Sequence, residues 1–244
     1  MGIFGKKVEL PADFSTIGTD IHNHVIPGID DGSPSLEESL KMLRLWESLG
    51  FRKVITTPHV ISFAYPNTRE IIESQMYNLR EVIEKEGINL VLEATGEYRI
   101  DFEFLELLEK KELIPFGRRK FVLLELPFQK PTFPIEDIIT QVKFAGYEPI
   151  IAHPERYPYL MGRIKQYEAL KNRGFWFQLN LNSLTGLYGL PSRVAAGQLI
   201  EAGMIDMVGS DAHHSGHLLD LAKLQSNKNY LKLIQTKILL NSEL

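Results

Sequence analysis

Seven short runs rich in β-branched and aliphatic residues recur along this chain, at 17–22, 53–57, 90–95, 121–126, 148–152, 175–180 and 205–210. Each ends on, or within a few residues of, a polar or ionisable side chain. Between them lie stretches with helical apolar spacing and helix signals. Ser35-Leu36-Glu37-Glu38 fits a capping box, Leu40, Leu43, Leu45 and Trp46 give an apolar face, and Gly50 stops it. Asn67 or Thr68 caps a helix over 69–86 closed by Gly87, and further helices are expected over 102–111, from Pro134, over 162–172, over 192–202 and through most of 218–240. Strands that alternate with helices point to a parallel sheet, because each helical crossover returns the chain to the end where the previous strand began. A doubly wound open sheet and a barrel both satisfy the pattern. No linker or change of composition interrupts it, so 1–244 reads as one domain, with 1–16 as a lead and 218–244 as a helical end.

The chemistry collects at one end of these strands. All seven histidines, His22, His24, His59, His153, His213, His214 and His217, lie at or just after a strand end, and none is expected on a helix face. Glu97, Glu125 and Asp211 share that position. In parallel α/β folds the C-terminal strand ends are where catalytic groups gather, and this distribution favours the barrel.

His22 and His24 stand two apart, so on a strand both face one side, and Asp30 or Asp31 can curl back from the glycine-bounded turn that follows. A lone His-x-His is equally compatible with packing; the partners elsewhere decide it. His22, His24, Asp31, His59, Glu97, Glu125, His153, Asp211 and His213 are nine nitrogen and oxygen donors, more than the roughly four to six one ion takes, so two or three ions fit better. Such ions about 4 Å apart activate water and steady both oxygens of a displaced phosphoryl group. Manganese, iron and zinc all suit a sulfur-free donor set.

Bland readings compete residue by residue. Glu97 and Glu125 taken singly read as surface acids, but in Leu123-Leu124-Glu125-Leu126 a carboxylate would be buried, which is costly unless paired or metal-bound. His59 is also a plausible turn residue. His214 reads as a bystander and Asp30 as a loop acid behind the ligands. Asp20 either orients an imidazole or caps the strand. Arg156, three residues past His153, suits bidentate phosphate binding, against a salt bridge to Glu155 or another acid. Gln178 and Asn180 face one side of their strand and either contact substrate or fill a polar layer. The apolar stretch 60–66 reads first as local packing, with a substrate aromatic or an oligomer contact as alternatives.

Other classes are excluded. The chain has no cysteine, which removes disulfides, thiolate sites and cysteine nucleophiles. A formal net charge of −4 disfavours nucleic acid. The N-terminal residues lack the apolar region of a signal peptide, Lys6 breaks the myristoylation pattern, and no apolar run reaches membrane-spanning length, so a soluble cytoplasmic protein is expected. There is no phosphate loop, dinucleotide fingerprint, nucleophile elbow or His-Glu-x-x-His.

Taken together, Asp20-Ile21-His22-Asn23-His24, Asp30-Asp31-Gly32, Thr57-Pro58-His59, Gly96-Glu97, Leu124-Glu125, Ala152-His153-Pro154-Glu155-Arg156 and Ser210-Asp211-Ala212-His213 resemble the polymerase-and-histidinol-phosphatase superfamily. Within it, residues 24–32 with Ser35-Leu36-Glu37-Glu38-Ser39 and the His-Pro-Glu-Arg resemble bacterial tyrosine phosphatases of capsular and exopolysaccharide operons. The resemblance spans about 19–217 in order. It implies a distorted seven-stranded (β/α) barrel of TIM-like type with a manganese-type cluster of up to three ions, Mn2+ ahead of Fe or Zn. It further implies hydrolysis of phosphotyrosine on a membrane-associated tyrosine autokinase controlling polysaccharide export, with homo-oligomerisation open. By motif position, His22, His24, Glu97 and Asp211 would share one ion, Glu97, Glu125 and His153 a second, and Asp31, His59 and His213 a third, while Arg156 holds phosphate.

Two positions depart from that pattern. Residues 60–65 are mostly apolar where the family usually has polar or basic ones, and Ser215-Gly216-His217 stands where it often places an arginine. Either His217 takes that role, as phosphate contact or general acid, or the contact is missing. A histidinol-phosphate-type metabolite phosphatase and a non-catalytic metal-binding regulatory module are the alternatives to a protein-tyrosine phosphatase.

Overall fold

The computed structural model describes residues 13–131 and 134–244; residues 1–12 of the expected lead lie outside them. Among the described residues nine strands are interleaved with helices, two pairs of strands following each other directly. The strands are β1 (Thr19–Asp20), β2 (Lys53–Thr56), β3 (His59–Val60), β4 (Val91–Ala94), β5 (Glu97–Arg99), β6 (Phe121–Glu125), β7 (Glu148–Ala152), β8 (Trp176–Asn180) and β9 (Met207–Gly209). The helices are α1 (Leu36–Ser48), α2 (Arg69–Lys85), α3 (Phe102–Lys110), α4 (Ile135–Phe144), α5 (Ile164–Asn172), α6 (Leu181–Thr185), α7 (Gly189–Glu201), α8 (Ser215–Asp220) and α9 (Lys228–Thr236).

Every strand pairing is parallel, in one sheet of order β1-β2-β4 and another of order β3-β5-β6-β7-β8-β9. The two sheets are successive levels of one layer. β3 follows β2 after Thr57-Pro58, and β5 follows β4 after Thr95-Gly96. Pro58 has no amide hydrogen to give the ladder, but its carbonyl still accepts from Glu97 N at 3.0 Å. These adjacent interruptions make His59 and Glu97 register partners at the start of the second sheet.

The layer curls until its last strand returns to its first. Asn23 bridges Ala212 in parallel, Asp211 N donates to His22 O at 2.7 Å, and His24 N donates to Ala212 O at 2.9 Å. Asn241 ties the opposite end, donating to Thr19 O and Val208 O at 2.8 and 2.7 Å. Ile21, Ile55, Leu123, Ile150 and Met207 pack inside the curl, and the main core lies between the strands and helices. Burial on both faces explains why these strands read as continuous apolar runs.

Several expectations change. Part of the lead is core: Phe14 is fully buried and stacks on Phe51 at 5.2 Å. The capping box is half made. Ser35 Oγ accepts from Glu38 N, but the Glu38 carboxylate accepts from Ser215 N at 2.6 Å, joining α1 to α8. α7 begins at Gly189 rather than 192, and the C-terminal stretch is broken into short helices and 3-10 turns. Among the described residues Asp20 touches no imidazole. It accepts from Trp46 Nε1 (2.7 Å), Ser210 N (3.0 Å) and His22 N (3.1 Å), and so ties β1 to α1 and to the end of β9. The apolar stretch 60–66 packs only in part. Ile61 and Tyr65 pair across a tight turn, Tyr65 stacks on His59, and Phe63 projects into solvent, 99% exposed.

Candidate metal centre

Strand ends and the loops beyond them bring nine donors to one place, with His59 and Glu97 at the starts of β3 and β5 just past the breaks in the layer. His22 Nε2 lies 3.3 Å from Glu97 Oε2 and 3.4 Å from Asp211 Oδ1; His24 Nε2 lies 3.6 and 3.4 Å from the same oxygens. His59 Nδ1 approaches Glu97 Oε2 at 2.9 Å, and His153 Nε2 meets Glu97 Oε1 at 3.0 Å. Asp31 Oδ1, half-exposed at the rim, stands 3.5 Å from His59 Nε2 and 3.6 Å from His213 Nε2. Glu125 Oε1 is 4.0 Å from His153 Nε2.

The atoms at the centre are buried without satisfaction. His22 Nε2, His24 Nε2, His59 Nδ1, His153 Nδ1, Glu97 Oε2 and Glu125 Oε2 make no hydrogen bond among the described residues. Such atoms are rare in folded proteins and call for a partner. Donors about 2.1 Å from a shared tetrahedral ion would stand about 3.4 Å apart, as the His22, His24 and Asp211 atoms do. Three sets lie close enough to hold an ion: His24, Asp31, His59 and His213; His22, His24 and Asp211; and His22, Glu97 and His153. The donor set therefore fits a cluster of divalent cations. Glu125, expected beside Glu97 and His153, falls outside these sets and sits 3.9 Å from Arg99.

Electrostatics agree. Burial opposes a charged imidazole at His22, yet Glu97 and Asp211 outweigh it and push the group up to about 9. Burial likewise opposes ionisation of Asp211 and Glu97, but His22 and its neighbours hold both carboxyls well below the usual range. The site demands positive charge. Burial, aided by Arg156, pushes His153 down to about 4, and burial with His24 does the same to His213, which leaves both imidazoles neutral, the form that can donate to a cation.

A second ring of residues orients the first. His22 Nδ1 pairs with Gln178 Oε1 at 2.8 Å, and His24 Nδ1 with Asp30 Oδ2 at 2.7 Å, so both Nε2 lone pairs face inward. Asp30 Oδ2 also accepts from His59 N at 3.0 Å. Asp30 thus stands behind the cluster while Asp31 reaches into it. The backbone is forced as well: His153 and Asp211 hold φ of +34° and +52°, left-handed values that cost side-chain-bearing residues energy and concentrate at functional sites.

Above the donors lies a cavity of about 360 Å3, walled by the ionisable cluster with Phe128, Arg156, Tyr188 and His217. A larger one, about 460 Å3, lies between α2 and α3 and contains none of the nine donors. Arg156 pairs not with Glu155 but with Asp211 Oδ2, at 2.7 Å. His217, contrary to the expectation that no histidine is helical, sits on α8, where its Nδ1 accepts from His213 N at 3.3 Å and leaves Nε2 as the N–H. His214 caps that helix, its Nδ1 accepting from Gly216 N. Tyr188 and Phe128 are the wall residues that sequence reasoning missed. Gln178 and Asn180 prove to hold His22 and Asp211 rather than only to fill a layer.

A protein-family profile described as capsular polysaccharide synthesis, CpsB/CapC, matches residues 18–234. The tyrosine-protein phosphatase YwqE of Bacillus subtilis (strain 168) is 32% identical over 195 residues, 80% of this chain and 77% of that protein. The tyrosine-protein phosphatase CpsB of Streptococcus agalactiae serotype V is 26% identical over 200 residues, 80% of this chain and 82% of that one. A crystal structure from work on YwqE from Bacillus subtilis and CpsB from Streptococcus pneumoniae, described as unique metal-dependent tyrosine phosphatases, superposes with a TM-score of 0.75 at 29% identity, covering 90% of this chain and 96% of that chain.

Proposed function

This chain belongs to the CpsB/CapC family of capsular polysaccharide synthesis, and from that footing we propose that it is a metal-dependent protein-tyrosine phosphatase acting on a bacterial tyrosine autokinase of a capsule or exopolysaccharide system. The observation that carries this reading is the group of buried, unpartnered histidine nitrogens and carboxylate oxygens under an open cavity, in a chain without cysteine. A phosphotyrosine hydrolase built this way has no thiophosphate intermediate available.

In this reading the seven strand positions make a distorted (β/α) barrel of TIM-like type within a single domain, and the protein works in the cytoplasm on a membrane-associated kinase. His22, His24, Glu97 and Asp211 would hold one ion, Glu97, Glu125 and His153 a second, and Asp31, His59 and His213 a third, with Mn2+ the favoured metal. Bound divalent ions supply activated water and take up charge on the phosphoryl oxygens.

The chain's own residues do the rest. Arg156 faces the cavity with one nitrogen held by Asp211, which leaves the others of its fork for phosphoryl oxygens. His217 presents Nε2–H to the same cavity, as a donor to a phosphoryl oxygen or the departing phenolate. Gln178 and Asp30 keep His22 and His24 turned inward throughout.

The test is hydrolysis by the Mn2+-loaded chain of a phosphotyrosine peptide from the cognate kinase, in competition with histidinol phosphate at equal concentration. Preference for the peptide is expected, and preference for the metabolite would replace this reading.

A further inference from the structure

Tyr188 lies in the short link Gly186-Leu187-Tyr188-Gly189 between α6 and α7, where Gly186 and Gly189 take φ of +94° and +84°. These left-handed turns at either side bring the half-buried ring back over the cavity. The Arg156 guanidinium carbon lies 4.0 Å from the centroid of that ring and 5.4 Å from that of Phe128. The Tyr188 hydroxyl donates to Asp211 Oδ2 at 2.9 Å, the oxygen that also accepts from Arg156 Nη1 at 2.7 Å and Asn180 Nδ2 at 2.6 Å. Asp211 thereby divides its carboxylate: Oδ1 faces His22 and His24, while Oδ2 collects three donors. Arg156 is held at one nitrogen by that oxygen and across its plane by Tyr188.

We propose that Tyr188 is a positioning residue for Arg156, its ring and hydroxyl fixing the guanidinium at the cavity mouth so that the free edge of the fork meets a phosphate. This rests on the phosphatase reading for its substrate but on the geometry above for its mechanism. An arginine carries several rotatable bonds, and immobilising it costs binding energy each time a phosphate arrives unless the protein has already done so. A flat cation stacks well on an aromatic face, and tyrosine adds the hydrogen bond that fixes the ring itself.

The experiment uses the full, metal-loaded chain, with inorganic phosphate binding followed by calorimetry and phosphotyrosine-peptide turnover in parallel, for Y188F, Y188L, R156A and Y188L/R156A. Y188L is expected to weaken phosphate binding about tenfold and to raise KM more than it lowers kcat, with metal content unchanged. Y188F, which keeps the face, should stay within about threefold of the parent. On the R156A background, Y188L should change phosphate affinity less than about twofold, since the group it positions is gone. Should Y188L not fold, Y188M replaces it as a bulky side chain without a ring. Independent, multiplying effects of Y188L and R156A would overturn the proposal, as would a Y188F loss equal to that of Y188L. If the phosphate effects appear as expected but the parent hydrolyses no phosphotyrosine peptide, the substrate reading falls and the assignment of Tyr188 stands.

Discussion

His22 Nδ1 lies 2.8 Å from Gln178 Oε1, and the amide nitrogen of the same Gln178 donates to Asn180 Oδ1 at 2.9 Å. Asn180 Nδ2 in turn donates to Asp211 Oδ2 at 2.6 Å. Two amides from one strand therefore link a histidine and an aspartate of the same donor set from behind, and they fix the His22 tautomer that leaves Nε2 bare. Truncating such a partner typically costs 10–100-fold in metal affinity or activity. Gln178→Ala should fall in that range, read as a weaker Mn2+ dissociation constant with the far-UV spectrum intact. Undiminished affinity would mean that the His22 ring is held by packing alone.

Metal removal should abolish activity without unfolding the chain. The apolar residues inside the curl, Ile21, Ile55, Leu123, Ile150 and Met207, form a core of their own. Exhaustive chelation is expected to leave secondary structure in place, lower Tm through the loss of ligand linkage, and reduce turnover to background, with recovery on adding Mn2+. Turnover that survives complete demetallation would sink the metal-dependent mechanism.

The strand positions were legible because parallel strands buried on both faces give apolar runs that stop abruptly at ionisable ends. All seven runs correspond to strands, but β3 and β5, which follow two of them past the breaks at Thr57-Pro58 and Thr95-Gly96, were not read as strands. Most donors were legible for the same reason: His22, His153 and Asp211 stand one or two residues past a strand and Glu125 ends one, while Asp31 comes from the turn well beyond β1. What stayed hidden depends on where a loop turns. Nothing in the spacing shows that Tyr188 folds back over Arg156, that Phe128 lines the same wall, or that Glu38 reaches Ser215 instead of completing its box. Phe63 failed as packing because the Ile61–Tyr65 turn throws it outward.

Away from the site, alkaline stability should report on Tyr230. Burial, with Asp13 nearby, pushes its phenol from 10.0 up to about 12. Below pH 10 the group is protonated in both states and its contribution is complete. Between about 10 and 12 the unfolded chain loses the proton while the folded one keeps it, so stability falls as pH rises. Tyr230→Phe removes the titration, and its stability relative to the parent should gain about 1–2 kcal/mol across that interval, as measured by urea unfolding at stepped pH. Parallel curves for the two proteins would show that Tyr230 titrates normally.

Two glycines are pressed against the first histidines. A Cβ on Gly209 would stand 2.5 Å from His22 Cβ, and one on Gly32 would stand 2.3 Å from both His24 Cβ and its carbonyl oxygen. No side-chain rotation relieves contacts with Cβ or backbone atoms, so the imidazoles themselves must shift. Gly209 belongs to β9, hydrogen-bonded in the layer, and its strain passes to His22 and the end of β1. Gly32 sits outside the strand ladder, in a turn whose rim holds the half-exposed Asp31, so its strain does not pass into the layer. Gly209→Ala is therefore expected to lose more than about tenfold in turnover together with a clear drop in Tm, and Gly32→Ala to lose turnover with a smaller drop. Paired measurements of Tm and kcat/KM on the two variants decide it, and an unimpaired Gly209→Ala would mean that the approach of β9 to His22 is not what sets the site.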